Sequence, residues 1–490
     1  MKILYEKKNG RATPRSQRIG KVPACLSLLG ILTLSYPHNA LANPIKAAGN
    51  LLTADTLYLS VENQIDEPVE TNTLRINELN ATAATGGKPL VFGKKTIDSD
   101  KARIVAIGGS LAAGVQNGGL YRASQLTSYP NLIARQMGAA FRQPLFSAEE
   151  ANGAGYKLLI REDGPVFRYS KVSDKLAVDP KSNAGQFRNF EGEIDNLALP
   201  FHNVRGSWKD LEYYSRLALP SMESQDFIPY FKRILPVGAS DKSSSYLQYV
   251  EQRATADFVI FDPGMDGHLQ SALVGGDASQ LPQLEEGERG DKSEFRIVKN
   301  LAAKGAKGVL VTIPNVIEFP YFKMYTPEKL AMLQGEGRVS IRTNRGTIRS
   351  MNDRDVLLPS AKVEALFSGR SSGEVLGERE SLAVDEGYDE TAAYRNVNWY
   401  NEYYVKFIAK ENDFAVFDLY ALLKKINAGG YVTDDGVEVN PAFPDGNFYS
   451  DDAIHPTSFG QAVIANECIK AINEHYGSGL PLLNTREFLK

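Results

Sequence analysis

The sequence predicts an α/β protein built on a mainly parallel sheet. Four short apolar runs have strand character, and helical segments separate them along the chain. The runs are "RIVAI" at 103–107, "DFVIFD" at 257–262, "GVLVTIP" at 308–314 and "FAVFDL" at 414–419. Apolar strands that alternate with helices are typical of a parallel sheet covered on both faces.

The helical segments show apolar residues at intervals of three and four. They are "SQLTSYPNLIARQM" at 124–137, "SEFRIVKNLAAKG" at 293–305, "NWYNEYYVKFIAKEN" at 398–412 and "PTSFGQAVIANECIKAINEHYG" at 456–477. Gly477 is the predicted stop of the last helix, because glycine commonly ends helices in the left-handed conformation.

The chain has 490 residues, of which 43% are hydrophobic, enough for a large core. We expect one main α/β domain over 101–490, an N-terminal extension over 43–100 and irregular insertions at about 140–250 and 320–395. The insertions are predicted from stretches rich in charge, glycine and serine, where binding loops commonly lie.

The first 42 residues are predicted to be a signal peptide. A basic leader precedes the apolar run "VPACLSLLGILTLSYP", and the small residues "ALA" at 40–42 suit a cleavage site. The alternative is an N-terminal anchor helix. Export predicts a protein that is periplasmic, outer-membrane-associated or secreted. Cleavage before Asn43 leaves one cysteine, Cys468, which its helical context predicts to be in the core.

The formal net charge of −4, with no basic stripe, excludes nucleic acid as an expected partner. The acidic stretch "TDDGVEVN" at 433–440 lacks the twelve-residue pattern of a calcium loop and is predicted to be a solvated turn. The sequence therefore predicts neither a metal nor another cofactor.

Ser110 follows the first predicted core strand in "AIGGSLAAG". Ligands of parallel α/β sheets bind outside the carboxyl ends of the strands, and Ser110 falls at such a place. The glycine spacing does not fit a dinucleotide fingerprint, and no Gly-Lys-Ser/Thr completes a phosphate-binding loop. Two interpretations stay open: a serine nucleophile, or a serine that only caps a turn.

A serine nucleophile needs a base, usually a histidine oriented by a carboxylate. His455 stands in "DDAIHPTSFG", three residues after Asp452 and just before the closing helix. This spacing can bring carboxylate and imidazole within hydrogen-bond reach in one short segment. The alternative is a capping loop in which His455 is an ordinary turn residue.

Together the segments around Ser110 and His455 resemble the GDSL, or SGNH, hydrolase family. This family has an early Gly-Asp-Ser block and a late Asp-x-x-His-Pro block. "NGGLYR", "SYPN", "GAKGVLVTIPNV" and "DDAIHPTSFGQAVIANECIKAIN" resemble an exported bacterial subgroup of it. The resemblance covers roughly residues 100–482 and is thin in the insertions. It implies a three-layer α/β/α sandwich, with Ser110 as nucleophile, His455 as base and Asp452 as the orienting acid.

The sequence departs from the family at three places. Gly109 stands where the family has the aspartate before the nucleophile. In "NLALPF" at 196–201, Ala198 and Phe201 stand where the family has glycines, one of which donates to the oxyanion hole. In "DPGMDG" at 262–267, Met265 replaces the donating asparagine and leaves Asp266 behind it. A thioether cannot donate a hydrogen bond.

Nearby side chains could supply the missing donor or could merely bond their own loops. His268 follows Met265 by three residues, and His202 and Asn203 follow Phe201. Gly109, Phe201, Met265 and His268 are therefore the candidate oxyanion-hole or substrate-lining residues.

The expected function is an exported serine ester hydrolase that forms an acyl-enzyme. Small acyl esters, lipid esters and glycan esters all fit as substrates, and a membrane-surface association and the oligomeric state stay open. The alternative is a catalytically weak or silent binding protein that keeps the hydrolase fold.

Overall fold

The computed structural model describes residues 88–147, 157–161, 167–171, 189–200, 231–234, 246–273, 275–276, 295–334, 339–343, 346–371, 375–384 and 394–489. All of them belong to the unit Asp66–Lys490. The predicted signal peptide, most of the predicted extension and Phe201 lie outside the described residues. No helix in the described ranges is long and apolar enough to span a membrane.

The described strands are β1 (Pro89–Phe92), β2 (Lys95–Asp98), β3 (Ile104–Ile107), β4 (Lys157–Arg161), β5 (Phe167–Lys171), β6 (Phe258–Phe261), β7 (Lys307–Val311), β8 (Ser340–Arg342), β9 (Ile348–Ser350), β10 (Val356–Leu357), β11 (Val375–Leu376), β12 (Ser381–Leu382), β13 (Ala415–Phe417), β14 (Tyr431–Val432) and β15 (Glu438–Val439).

The described α-helices are α1 (Ser110–Ala113), α2 (Arg122–Leu126), α3 (Tyr129–Gln136), α4 (Phe231–Ile234), α5 (Tyr246–Arg253), α6 (Asp266–Leu273), α7 (Phe295–Ala303), α8 (Pro327–Gln334), α9 (Ala361–Phe367), α10 (Tyr394–Tyr400), α11 (Phe407–Glu411), α12 (Leu419–Asn427) and α13 (Ser458–Tyr476). Asn401–Lys406, between α10 and α11, is a π-helix, and Val316–Glu318, Pro320–Lys323 and Thr485–Phe488 are 3₁₀ turns.

The α/β class is confirmed. Four strands form a parallel sheet in the order β13–β7–β6–β3, and they correspond to the four predicted apolar runs. Every residue of β3 and β6 is buried, as expected for strands whose two faces are both covered. The chain at 195–199 continues the sheet beyond β3, where Ala106 and Asn196 form a parallel bridge.

The closing helix α13 packs on α3 and β13. Gly477 ends it with a φ of +67°, in the left-handed conformation that the sequence predicted. Cys468 on this helix is buried and free, which confirms the core prediction. Burial raises the pKa of its thiol far above the usual range.

The segment predicted as one helix at 124–137 is two helices, α2 and α3, separated at Thr127 and Ser128. Pro130 explains the break, because proline has no N–H to continue the helical ladder. The carbonyl of Leu126, which that N–H would have served, accepts a hydrogen bond from Asn131 Nδ2 at 2.7 Å instead.

The part of 320–395 that the structure describes has a core of its own. Strand β8 pairs with β9 antiparallel and with β11 parallel. A second cluster of buried side chains, separate from that of the main sheet, includes Tyr325, Leu330, Ile341, Leu357, Leu366 and Leu376. This region therefore contains regular structure, where the sequence suggested an irregular insertion.

Candidate active site

Ser110 is the first residue of α1 and follows the carboxyl end of β3 by two glycines. The first glycine allows a close approach: a Cβ on Gly108 would lie 3.0 Å from the Cβ of Asp262 and 3.1 Å from its carbonyl oxygen. Ser110 is fully buried. The turn thus holds the serine at the edge of the sheet where the sequence predicted a site.

Asp452 and His455 form a buried hydrogen-bonded pair. The distance from His455 Nδ1 to Asp452 Oδ2 is 2.6 Å, and both side chains are fully buried. A carboxylate at Nδ1 holds the proton on that nitrogen and leaves Nε2 as the basic atom of the neutral ring. This is the contact that the Asp-x-x-His spacing predicted.

The loop that carries Asp452 folds around its carboxylate. The backbone N–H groups of Ile454 and His455 donate to Oδ1 at 2.9 and 2.8 Å, and Ser450 Oγ donates to it at 3.1 Å. Ala453, within this turn, has a φ of +61°, a conformation that residues other than glycine rarely adopt. A carboxylate with so many donors is well suited to remain charged although it is buried.

The electrostatics of Asp452 follow from these contacts. Burial acts to raise its pKa, but the charge of His455 and the hydrogen bonds from His455 and Ile454 outweigh burial. The pKa of Asp452 is therefore below its ordinary value. A charged Asp452 can stabilise the imidazolium that forms when His455 takes a proton.

Direct hydrogen bonds join this loop to the loop that follows α1. The N–H of Gly118 donates to Asp452 Oδ2 at 2.8 Å, and the N–H of Asn117 donates to Ser450 Oγ at 3.0 Å. The N–H of Asp451 in turn donates to Asn117 Oδ1 at 3.0 Å. Segments more than 330 residues apart in sequence are thus held together directly.

The closing helix α13 adds a further link between the segment that contains Ser110 and the segment that contains His455. Gln461 Nε2 donates to the carbonyl of Leu111 at 3.2 Å, and Gln461 Oε1 accepts from the N–H of Tyr129 at 3.0 Å. Gln461 is fully buried. It therefore fixes α13, the helix that begins just after His455, against the helix that begins with Ser110.

The segment "NLALPF" lies beside the Ser110 turn. The N–H of Leu199 donates to the carbonyl of Gly108 at 2.9 Å, and Asn196 Nδ2 donates to the carbonyl of Ala112 at 3.1 Å. Ala198 is buried, and its N–H donates to the side chain of Asn196. The structure thus brings the segment 196–199 beside the Ser110 turn, although Phe201 lies outside the described residues.

Asp266, the first residue of α6, contacts Ser110 through both carboxylate oxygens. The N–H of Ser110 donates to Oδ2 at 2.9 Å, and Ser110 Oγ donates to Oδ1 over a short distance. In "DPGMDG" at 262–267, the residue predicted from the sequence to belong to the site is Met265 and not Asp266. Met265 is buried in the apolar core. The signal that could have identified Asp266 is its place two residues after Gly264, where a Gly-x-Asn-Asp block has its asparagine.

Burial is the largest influence on Asp266 and raises its pKa. The hydrogen bonds from Ser110, the charge of His455 and the backbone N–H of Asp266 itself oppose burial without cancelling it. A positive charge on His455 therefore favours the ionised form of Asp266, against the effect of burial.

His268 is buried on α6, and within the described part of the chain neither ring nitrogen has a hydrogen-bond partner. Burial lowers its pKa to about 4, so the ring is neutral near pH 7. The described contacts therefore give His268 no link to Ser110.

A second buried acid lies at the end of β6. Asp262 accepts from Tyr129 Oη at 3.2 Å and from the N–H of Gly264 at 2.9 Å. Burial raises its pKa to about 7, with a further contribution from the charge of Asp266. Two buried acids, Asp262 and Asp266, thus have pKa values raised by burial, whereas a third, Asp452, has a lowered pKa.

The described residues contain no group of three or more His, Cys, Asp or Glu side chains that could hold a metal ion. A comparison with known proteins found no matching family model, no matching curated protein and no matching solved structure.

Proposed function

We propose that this protein is an exported serine ester hydrolase of the SGNH type, with the three-layer α/β/α sandwich that this family has. The observation that carries the proposal is the buried Asp452–His455 pair, at 2.6 Å, on a loop bonded to the segment that follows Ser110. A charged acid, a histidine and a buried serine at the carboxyl edge of a parallel sheet are the parts that acyl transfer requires.

In the proposed reaction, Ser110 Oγ attacks the carbonyl carbon of an ester while its proton passes to His455 Nε2. The tetrahedral intermediate collapses, and His455 gives that proton to the departing alcohol, which leaves an acyl group on Ser110. Water then attacks the acyl carbon while His455 takes its proton, and the acid leaves as His455 returns that proton to Ser110 Oγ. Asp452 keeps the ring oriented and stabilises the imidazolium in both halves.

The proposed substrate is a small acyl, lipid or glycan ester, with no cofactor. The experiment is hydrolysis of a p-nitrophenyl ester series, from acetate to palmitate, by the purified protein and by Ser110→Ala and His455→Ala. The proposal expects turnover by the wild type, with a loss of at least a thousandfold in each variant. Equal rates in the folded wild type and in Ser110→Ala would refute it.

One observation favours the second candidate, a weak or silent binding protein with the hydrolase fold. Asp266 already occupies the N–H of Ser110, a donor that the transition state would need. This candidate predicts that Ser110 does not react with esters even when Asp266 is neutralised, which separates it from a restrained enzyme.

A further inference from the structure

The contact between Asp266 and Ser110 involves both groups that acyl transfer requires of the serine. The hydroxyl is the attacking group, and the backbone N–H of a serine nucleophile commonly donates to the developing oxyanion. Here one carboxylate accepts from both groups, through Oδ1 and Oδ2. Ser110 and Asp266 are both buried, so bulk water does not compete for either contact.

A carboxylate at this position opposes the proposed reaction in two ways. The oxyanion would develop next to an existing negative charge, in a buried site where charge interactions are strong. The hydroxyl proton that is donated to Asp266 also cannot be donated to His455, because a hydroxyl has one proton. Substrate turnover therefore requires that Asp266 move away from Ser110 or lose its charge.

The backbone around the contact is shaped to admit this carboxylate. A Cβ on Gly109 would lie 2.0 Å from Asp266 Oδ2 and 3.2 Å from its Cγ. Gly264, two residues before Asp266, has a φ of +84°, which favours glycine, and a Cβ on it would lie 3.5 Å from the Cα of Gly109. The missing side chain of Gly109 thus leaves the space in which the acid reaches Ser110.

We infer that Asp266 is an inhibitory restraint on Ser110, and that removing its negative charge frees the Ser110 hydroxyl for attack and relieves the repulsion of the developing oxyanion. This inference rests on the proposed function. The ionisable groups in its electrostatic surroundings are Asp262 on the β6 side and His455 on the Asp-x-x-His loop. Burial favours the neutral acid, which agrees with a restraint that can be released.

The test is Asp266→Asn, which keeps the size and one oxygen acceptor for the N–H of Ser110 but replaces the charge with an amide donor. Because one oxyanion donor changes rates by on the order of 10²–10³, we expect kcat/KM for p-nitrophenyl acetate to rise at least tenfold. The rate of covalent labelling by a fluorophosphonate should rise by a similar factor.

The matched control is Asp262→Asn, the same exchange at the other buried acid, whose carboxylate accepts from Tyr129 and Gly264. We expect it to change kcat/KM less than threefold. Asp266→Ala is a second variant, which removes the charge and the contact without adding a donor, and it should also accelerate labelling. Circular dichroism and thermal unfolding verify that each variant is folded.

The outcomes separate the inference from the proposed function. A tenfold or greater rise of kcat/KM in Asp266→Asn, without such a rise in Asp262→Asn, supports both the restraint and the hydrolase function. An active wild type with an unchanged or slower folded Asp266→Asn overturns the restraint and leaves the hydrolase standing. An equal rise in Asp262→Asn overturns the specific role of Asp266. No labelling of Ser110 in any folded variant overturns the restraint and the hydrolase proposal together.

Discussion

Gly109 and Asp266 fit each other: a Cβ at position 109 would lie 2.0 Å from Asp266 Oδ2. The SGNH-like sequence pattern would place an aspartate at 109, and the carboxylate of Asp266 could not then lie where it does. The absence of a side chain at one position and the acid that contacts Ser110 are therefore one structural feature. From the sequence alone, Gly109 is a departure from the SGNH-like pattern, whereas Asp266 is not among the predicted site residues.

Gly109→Ala should destabilise the protein or displace Asp266. The φ of Gly109 is −104°, which alanine tolerates, so the cost comes from the contact with Asp266 and not from backbone strain. Overpacking at a buried site costs about 1–3 kcal/mol in the free energy of unfolding. Chemical denaturation of the wild type and the variant measures it.

The control is the same exchange in an Asp266→Ala background, where the methyl group has room. The double-mutant cycle should give a coupling of about 0.5–3 kcal/mol between the two positions. Strictly additive effects would show that residues 109 and 266 do not interact in solution.

Asp452→Asn should abolish most of the proposed esterase activity while leaving the protein folded. An asparagine amide facing Nδ1 stabilises the wrong tautomer of His455, and the corresponding exchange in a serine protease lowers kcat by about 10⁴. Steady-state hydrolysis of p-nitrophenyl acetate measures the loss. The matched control is Asp451→Asn, at the adjacent acid, which should change kcat less than threefold. Similar losses in both variants would contradict the assigned role of Asp452.

Asp262 should make stability fall as pH rises towards 7. Its pKa is about 7 in the folded protein, against an ordinary value near 4, so between these values the folded state holds a proton that the unfolded state has lost. The acid therefore contributes a slope of about −1.4 kcal/mol per pH unit to the free energy of unfolding. Asp262→Asn removes this contribution.

The measurement is the difference in unfolding free energy between Asp262→Asn and the wild type from pH 4 to pH 8. As pH rises, the free energy of unfolding of the variant should increase relative to that of the wild type, by roughly 4 kcal/mol at most. This difference should become constant above pH 7. A difference that is independent of pH would show that Asp262 titrates normally.

Asn117 should position the Asp452 loop. Its φ is +51°, its N–H donates to Ser450, and its Oδ1 accepts from the N–H of Asp451. Asn117→Ala loses the side-chain bonds with Asp451 and Tyr121 and disfavours the left-handed backbone, so we expect a loss of about 1–3 kcal/mol in stability. Asn117→Gly restores the backbone preference and isolates the effect of these side-chain bonds. A glycine variant less stable than the alanine variant would contradict this account.

Local pattern was sufficient to predict the parallel sheet and the Asp452–His455 contact. β3, β6, β7 and β13 are short, apolar and bounded by turns, and an Asp-x-x-His spacing needs only one turn to bring its side chains together. The break at Thr127–Ser128 could also be explained from sequence, because Pro130 lacks the N–H that a continuous helix needs.

The contact between Asp266 and Ser110 could not be predicted in the same way. The residues are separated by 156 positions, and their meeting depends on the pairing of β3 with β6 and on the space left by Gly109. The resemblance to the SGNH pattern indicates Met265 instead, because a methionine cannot donate the hydrogen bond that the asparagine of that pattern donates. The burial of Met265 and the carboxylate beside it are properties of the folded packing and not of the local pattern.

We propose above all that Ser110 is a nucleophile and that Asp266 restrains its reactivity. The most direct measurement is intact mass and peptide mapping of the protein after exposure to a fluorophosphonate, with Ser110→Ala as the blank. We predict one phosphonyl group on Ser110 in the wild type, at least tenfold faster addition in Asp266→Asn, and none at that peptide in Ser110→Ala. An unmodified Ser110 in both the folded wild type and folded Asp266→Asn would contradict the account.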